Sequence, residues 1–144
     1  IADMAGHYTP ADECDIRNNP AKTRDTIQEI KAAISPVTDP ATDERIRRYL
    51  SLISDAKAHG VRVVLLKIPV HPWLQAAYGP DLLSNYSAAC NYIARKTDAP
   101  MFDYTGVPFP DELWQNQNHF NSRGAAFFTP LVAKDLAAVF VRQP

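Results

Sequence analysis

The chain has 144 residues, 46% of them hydrophobic and 22% charged, with a formal net charge of −1. That is enough chain to bury a core, and the composition is that of a globular domain rather than a disordered segment. The balanced charge, with no basic block, excludes nucleic acid as an expected partner. No transmembrane segment is expected either, because the longest apolar run, residues 61–70, is broken by Arg62 and Lys67.

Residues 1–22 carry Pro10, Asn18, Asn19 and Pro20 without a sustained period, and read as an extended arm or long loop. A short helix over Thr23–Ile34 follows, with Ile27, Ile30 and Ile34 on one face and capping-box spacing from Thr26 to Glu29. The segment from Ser35 to Pro40 breaks it. Residues 1–40 are therefore expected as an arm with one helix, and 41–144 as the main domain. Cys14 and Cys90 are either a disulfide or two free thiols, and the unpaired reading is preferred.

Asp43–His59 reads as an amphipathic helix with Ile46, Leu50 and Ile53 inward and Gly60 closing it. The run from Val61 to Ile68 reads as a strand buried on both faces, stopped by Pro69-Val70-His71-Pro72. A helix from about Pro80 to Lys96 and a short strand over Ala99–Tyr104 come next. After a Pro-containing loop, the last helix opens near Ser122 and runs to about Val141. It either kinks at Pro130 or restarts with Thr129 as its cap. The order α-β-α-β-α implies an α/β fold with parallel strands and right-handed crossovers. Two strands are few for such a sheet. Either the arm hides more of them, or the chain is the C-terminal portion of a larger doubly wound domain, the preferred expectation.

Ligands of open parallel sheets bind beyond the carboxyl ends of the strands. His71 and Trp73 follow the first strand, Asp103 ends the second, and His119 lies in the loop beyond it, so these loops are expected to share one face. A histidine oriented by a neighbouring carboxylate or amide acts as a general base for a hydroxyl nucleophile. Asn116, three residues before His119, supplies an uncharged orienter, and Asp111, Glu112 or Asp103 are alternatives. Plainer roles stand beside these: His119 as a helix-capping loop residue, His71 as a structural residue or pocket wall, Asn121 as a helix N-cap. Asp103 is equally suited to a structural bond at a strand end. Trp73, Tyr78 and Trp114 suit a sugar or acyl site, or a partly buried core. No CxxC, HExxH or EF-hand loop is present, so no metal and no cofactor is expected.

From Val61 onward the chain resembles the C-terminal half of the SGNH (GDSL-like) hydrolase superfamily. It looks closest to the branch of cell-surface polysaccharide O-acetylation and D-alanyl transfer proteins. The matching residues are Ile68-Pro69-Val70-His71-Pro72, Phe102-Asp103-Tyr104 and the block Asn116-x-x-His119-x-Asn121-x-x-Gly124, within a span of roughly residues 43–140. The resemblance implies a three-layer α/β/α, flavodoxin-like sandwich and an esterase or O-acyltransferase of the cell envelope. Its substrate would be an acylated carbohydrate or a similar small ester. It makes His119 the catalytic base and Asn116 its orienter, with His71, Trp73, Asp103 and Asn121 at the substrate. Two departures stand out: Asn116 takes the place of the family's aspartate, and no Gly-x-Ser nucleophile motif occurs. The serine is therefore expected outside this chain, in a missing N-terminal half, and association with that half or a homo-oligomer is the partner expectation. The rival expectation is a catalytically degenerate domain that binds glycan or a protein partner.

Overall fold

Residues 15–140 are described by the computed structural model of the chain. In order they form α1 (Asp15–Asn18), α2 (Pro20–Ala33), α3 (Glu44–Ala58), β1 (Leu65–Lys67), α4 (Pro72–Thr97), β2 (Met101–Asp103), a 3-10 helix (Asp111–Leu113) and α5 (Ser122–Phe140). The architecture is mostly helical with a two-stranded parallel sheet, compatible with part of an α/β fold. Two units divide these residues: 15–32, 70–77 and 107–140 in the first, 33–69 and 78–106 in the second. The expectations for residues 1–14, Cys14 among them, and for residue 141 lie outside the described residues.

In the first unit, α2 begins three residues before the expected Thr23. Asn19 is the cap, its Oδ1 accepting from the Lys22 amide at 3.2 Å, and Pro20 occupies the first helical position. Asparagine followed by proline is a stronger start than Thr26–Glu29, which lies inside the helix. Ile16, Phe109 and Trp114 form the core here, with Val107, Leu113, Phe120, Phe128 and Leu131 packed around them. Trp114 is 1% exposed and spends its indole N–H on the Phe109 carbonyl at 3.2 Å. Phe120 lies 4.5 Å from the Trp114 ring and 4.7 Å from Phe109, within the favourable range for aromatic pairs.

Helix α5 runs unbroken through Pro130, so the restart at Thr129 is not taken. The Thr129 hydroxyl turns backward and donates to the Ala125 carbonyl at 2.7 Å instead of capping a new helix. At the other end of α5, Gly124 lies against the 3-10 helix. A Cβ there would overlap the Leu113 carbonyl oxygen and stand 2.9 Å from the Phe120 ring.

The second unit holds α3, α4 from residue 78, and the sheet. Asp43 caps α3 by accepting from the Arg45 amide at 2.8 Å. The end of α3 is a Schellman turn: Val61 N–H reaches the Ala56 carbonyl, Gly60 N–H the Lys57 carbonyl, and Gly60 takes φ 77°. Ile46 and Ile53 are buried as expected.

Strands β1 and β2 pair in parallel, Leu65 with Met101, Leu66 with Phe102, Lys67 with Asp103. The strand expected over Val61–Ile68 is only three residues long and is not covered on both faces. Leu66 is 40% exposed and Ile68 53% exposed, because β2 is the only neighbouring strand among the described residues. Lys67 is buried and pairs with Asp103 across the strand ends at 2.5 Å, and with the Ser87 hydroxyl at 3.2 Å. Burial alone pushes the Asp103 carboxyl up, but hydrogen bonds from Lys67 and Thr105 outweigh it and hold the group below its usual range. In α4, Gly79 breaks the helix with φ 73° and ψ 170°, just before Pro80.

Two measurements check these packing arguments. Helix propensity alone makes Gly124→Ala stabilising by about 1 kcal/mol. The contact with Leu113 makes it destabilising by about 1–3 kcal/mol, read from urea unfolding. Asp43 is held down to about 2 by its hydrogen bonds with Arg45, against 3.8 for the free group. Such a carboxyl contributes stability above the higher value and loses it as pH falls toward the lower one. Asp43→Asn keeps the cap but not the charge. Its melting temperature should therefore lie below that of the wild type near pH 5 and converge with it only below pH 2, where Asp43 is protonated in the folded as well as the unfolded chain.

Candidate functional site

All but one of the expected site residues belong to the first unit. The exception is Asp103, which lies in the second with its Oδ2 on Lys67 and its Oδ1 on the Thr105 amide and hydroxyl.

His71 ends the segment after β1 and starts α4. Its Nδ1 accepts from the Trp73 amide at 3.2 Å, so the imidazole itself caps the helix that Pro72 opens. An accepting Nδ1 puts the ring proton on Nε2, which donates to Asp111 Oδ1 at 3.0 Å. The ring is 1% exposed, edge-on to both Trp73 and Trp114. The His71 amide donates to the Gln117 carbonyl at 2.9 Å, which ties this turn to the loop that carries His119. Trp73, 37% exposed, keeps part of its ring in solvent.

That loop is closed at its neck by an antiparallel bridge between Trp114 and Phe120. Inside it, the Gln115 and Asn116 amides both donate to the His119 carbonyl. Asn116 Oδ1 accepts from three groups: the Asn118 amide at 3.1 Å, the His119 amide at 3.0 Å and His119 Nδ1 at 2.9 Å. Backbone amides only donate, so the atom they share is the oxygen and not the amide nitrogen. His119 Nδ1 therefore carries the ring proton, and Nε2 is left with its lone pair. The ring is exposed, and Nε2 meets no partner among the described residues. This is the tautomer that a general base requires.

Asn121 and Gly124 fix the loop's exit. Asn121 is 3% exposed, and its Oδ1 accepts from the Gly124 amide at 3.0 Å as the N-cap of α5. Its Nδ2 donates to the Glu112 carbonyl at 2.7 Å. The alternative orienters of His119 are engaged elsewhere, Asp111 with His71 and Glu112 with Arg17 at 2.9 Å. The His71–Asp111 pair was not anticipated from the sequence, since its members stand forty residues apart with no motif linking them.

Among other candidate nucleophiles, Ser51 and Ser54 lie in α3, Ser84 and Ser87 in α4, and Ser122 at the start of α5. None sits on a strand-to-helix elbow. Cys90 has no disulfide partner among the described residues, and burial pushes its thiol up, away from the reactive thiolate. No cluster of three or more His, Cys, Asp or Glu that could hold a metal occurs among the described residues. No helix among them is long and apolar enough to cross a membrane.

No family model, curated protein or solved structure matches the chain.

The tautomer is open to direct measurement. In ¹⁵N spectra of neutral His119, Nδ1 should appear protonated and Nε2 bare. Asn116→Ala removes the acceptor, and the two tautomers should then mix.

Proposed function

We propose that the chain carries the base half of an SGNH-type acyl-transfer or ester-hydrolysis site. On this reading the chain is the C-terminal part of a three-layer α/β/α domain of the cell envelope. The substrate is an acylated carbohydrate or similar ester, and the serine nucleophile comes from outside this chain. The observation that carries the reading is the exposed His119 ring, with Nδ1–H held by Asn116 and Nε2 free. Nε2 takes the proton of the serine hydroxyl as the oxygen attacks the acyl carbon. It returns that proton to the departing sugar oxygen, and the acyl group then passes to water or to an acceptor hydroxyl by the same route reversed. Trp73, held edge-on by His71, offers a partly exposed ring face suited to a sugar. No metal or cofactor enters this chemistry.

Asn116 provides the orientation of the missing aspartate without its charge. Exchanging a carboxylate for an amide at such a position costs up to about 10⁴ in rate when the tautomer is also lost. Here the tautomer is kept, so the penalty is confined to the imidazolium charge that no anion offsets. One observation favours a second reading, a degenerate domain that binds glycan or protein. Asn116 Oδ1 also holds two backbone amides, a role it would fill in an inert loop.

Turnover of p-nitrophenyl acetate by the full-length gene product separates the two. The catalytic reading expects His119→Ala to lose about 10²–10⁴ in kcat. It expects Asn116→Asp, which accepts the same three donors and adds a charge, to gain about tenfold or more. Wild type and Asn116→Asp that are both inert would leave the binding module.

A further inference from the structure

Five polar side chains are buried among the described residues. Four are bonded: Thr23 to the Asn19 carbonyl, Lys67 to Asp103, His71 to Asp111 and Asn121 to the Glu112 carbonyl. The fifth is Gln117, 5% exposed, whose side-chain amide meets no hydrogen-bond partner among the described residues. An enclosed amide without a partner is unfavourable, and native structures rarely leave one. Neither of its polar atoms is sealed off, however; each keeps some surface open to the outside. The amide is therefore within reach of a ligand while the rest of the side chain is covered. Its backbone is fixed independently. The Gln117 carbonyl accepts from the His71 amide at 2.9 Å, and the Asn116 side chain spans Gln117 to hold the Asn118 amide. Gln117 thus stands two residues before His119 and beside the turn that carries Trp73, all within the first unit.

We propose that Gln117 determines the specificity of the His119 site by reading free sugar hydroxyls beside the acylated position. A primary amide presents a donor and an acceptor side by side, and two neighbouring hydroxyls of a pyranose ring satisfy both. An ester carbonyl satisfies only the donor and leaves the amide oxygen unpaired. A ligand without hydroxyls is then disfavoured, because the amide loses its water and gains no full replacement. Preference for a partly acylated sugar over a fully acylated one follows, since the fully acylated ring offers acceptors alone. The inference rests on the acyl-carbohydrate reading of the site proposed above, but not on turnover, because a degenerate glycan-binding domain uses the same amide in the same way.

The test uses the full-length gene product carrying His119→Ala, so that binding is read without hydrolysis. The probe is a partly acetylated xylo-oligosaccharide. The side-chain amide signals of Gln117, assigned by their loss in Gln117→Met, should shift as the probe is added. They should stay in place with p-nitrophenyl acetate, which has no hydroxyl. Gln117→Met keeps the length of the side chain and removes both polar atoms. It should weaken binding of the oligosaccharide about tenfold, the effect of one or two neutral hydrogen bonds. Its melting temperature should equal or exceed that of the parent, because no internal bond is lost. A marked fall in melting temperature assigns the amide to the fold and overturns the proposal. So does an equal response to both ligands, or an amide that does not move at millimolar oligosaccharide. Turnover with His119 intact is a separate readout, and its absence removes the catalytic reading while leaving this binding test in force.

Discussion

One amide oxygen organises the polar loop of the first unit. Asn116 Oδ1 gathers two backbone amides and an imidazole N–H onto a single atom, and the loop closes around it. Without that acceptor, two backbone donors at a tight turn would depend on solvent, and the histidine would have no fixed face. The same oxygen thus sets the backbone course and the protonation pattern of the ring. An aspartate could do all of this and add a charge. The loop's shape is therefore independent of the charge, and the geometry of a base persists whether or not the electrostatics that sharpen it are present.

The rest of the first unit supports this arrangement in layers. Trp114 and Phe120 bridge the neck of the loop and sink into the aromatic core. Asn121 caps α5 and braces the 3-10 helix, and Gly124 lets the two approach to a distance that no other residue tolerates. Buried and with both ring nitrogens engaged, His71 ties the start of α4 to Asp111, while its amide holds Gln117. Removing one member of such a network leaves the others desolvated and unpaired, which costs more than the bond itself contributes.

What could be read from the sequence was local. The block Asn116-x-x-His119-x-Asn121-x-x-Gly124 was legible because its bonds join residues two or three apart, where spacing alone fixes geometry. Helix α3 and the glycine that closes it were legible for the same reason, whereas Asp43, counted within the helix, is its N-cap. The start of α4 was not, since histidine lies outside the usual capping residues and its ring had to be placed by Asp111, far away in sequence. Ile16 gave no periodic signal, yet it sits in the core because the aromatic cluster reaches it. The strand over Val61–Ile68 was overcounted. Its composition is that of a strand with neighbours on both sides, and strand length is set by neighbours, not by composition. Lys67, within that run, read as an interruption; instead its ammonium joins the ends of both strands through Asp103.

The break at Gly79 has a consequence for how α4 comes into being. Residues 72–78 make about two turns, too few to persist alone, because nucleating a helix costs more than so few bonds return. This stretch exists only once Leu74, 1% exposed, has found its place and His71 has capped it. Residues 80–97 are long enough to form transient helix in the unfolded chain and open on a proline suited to a first turn. What looks like one helix is thus two kinetic objects. One can flicker into being early, and the other is templated by the packing that surrounds the histidine loop.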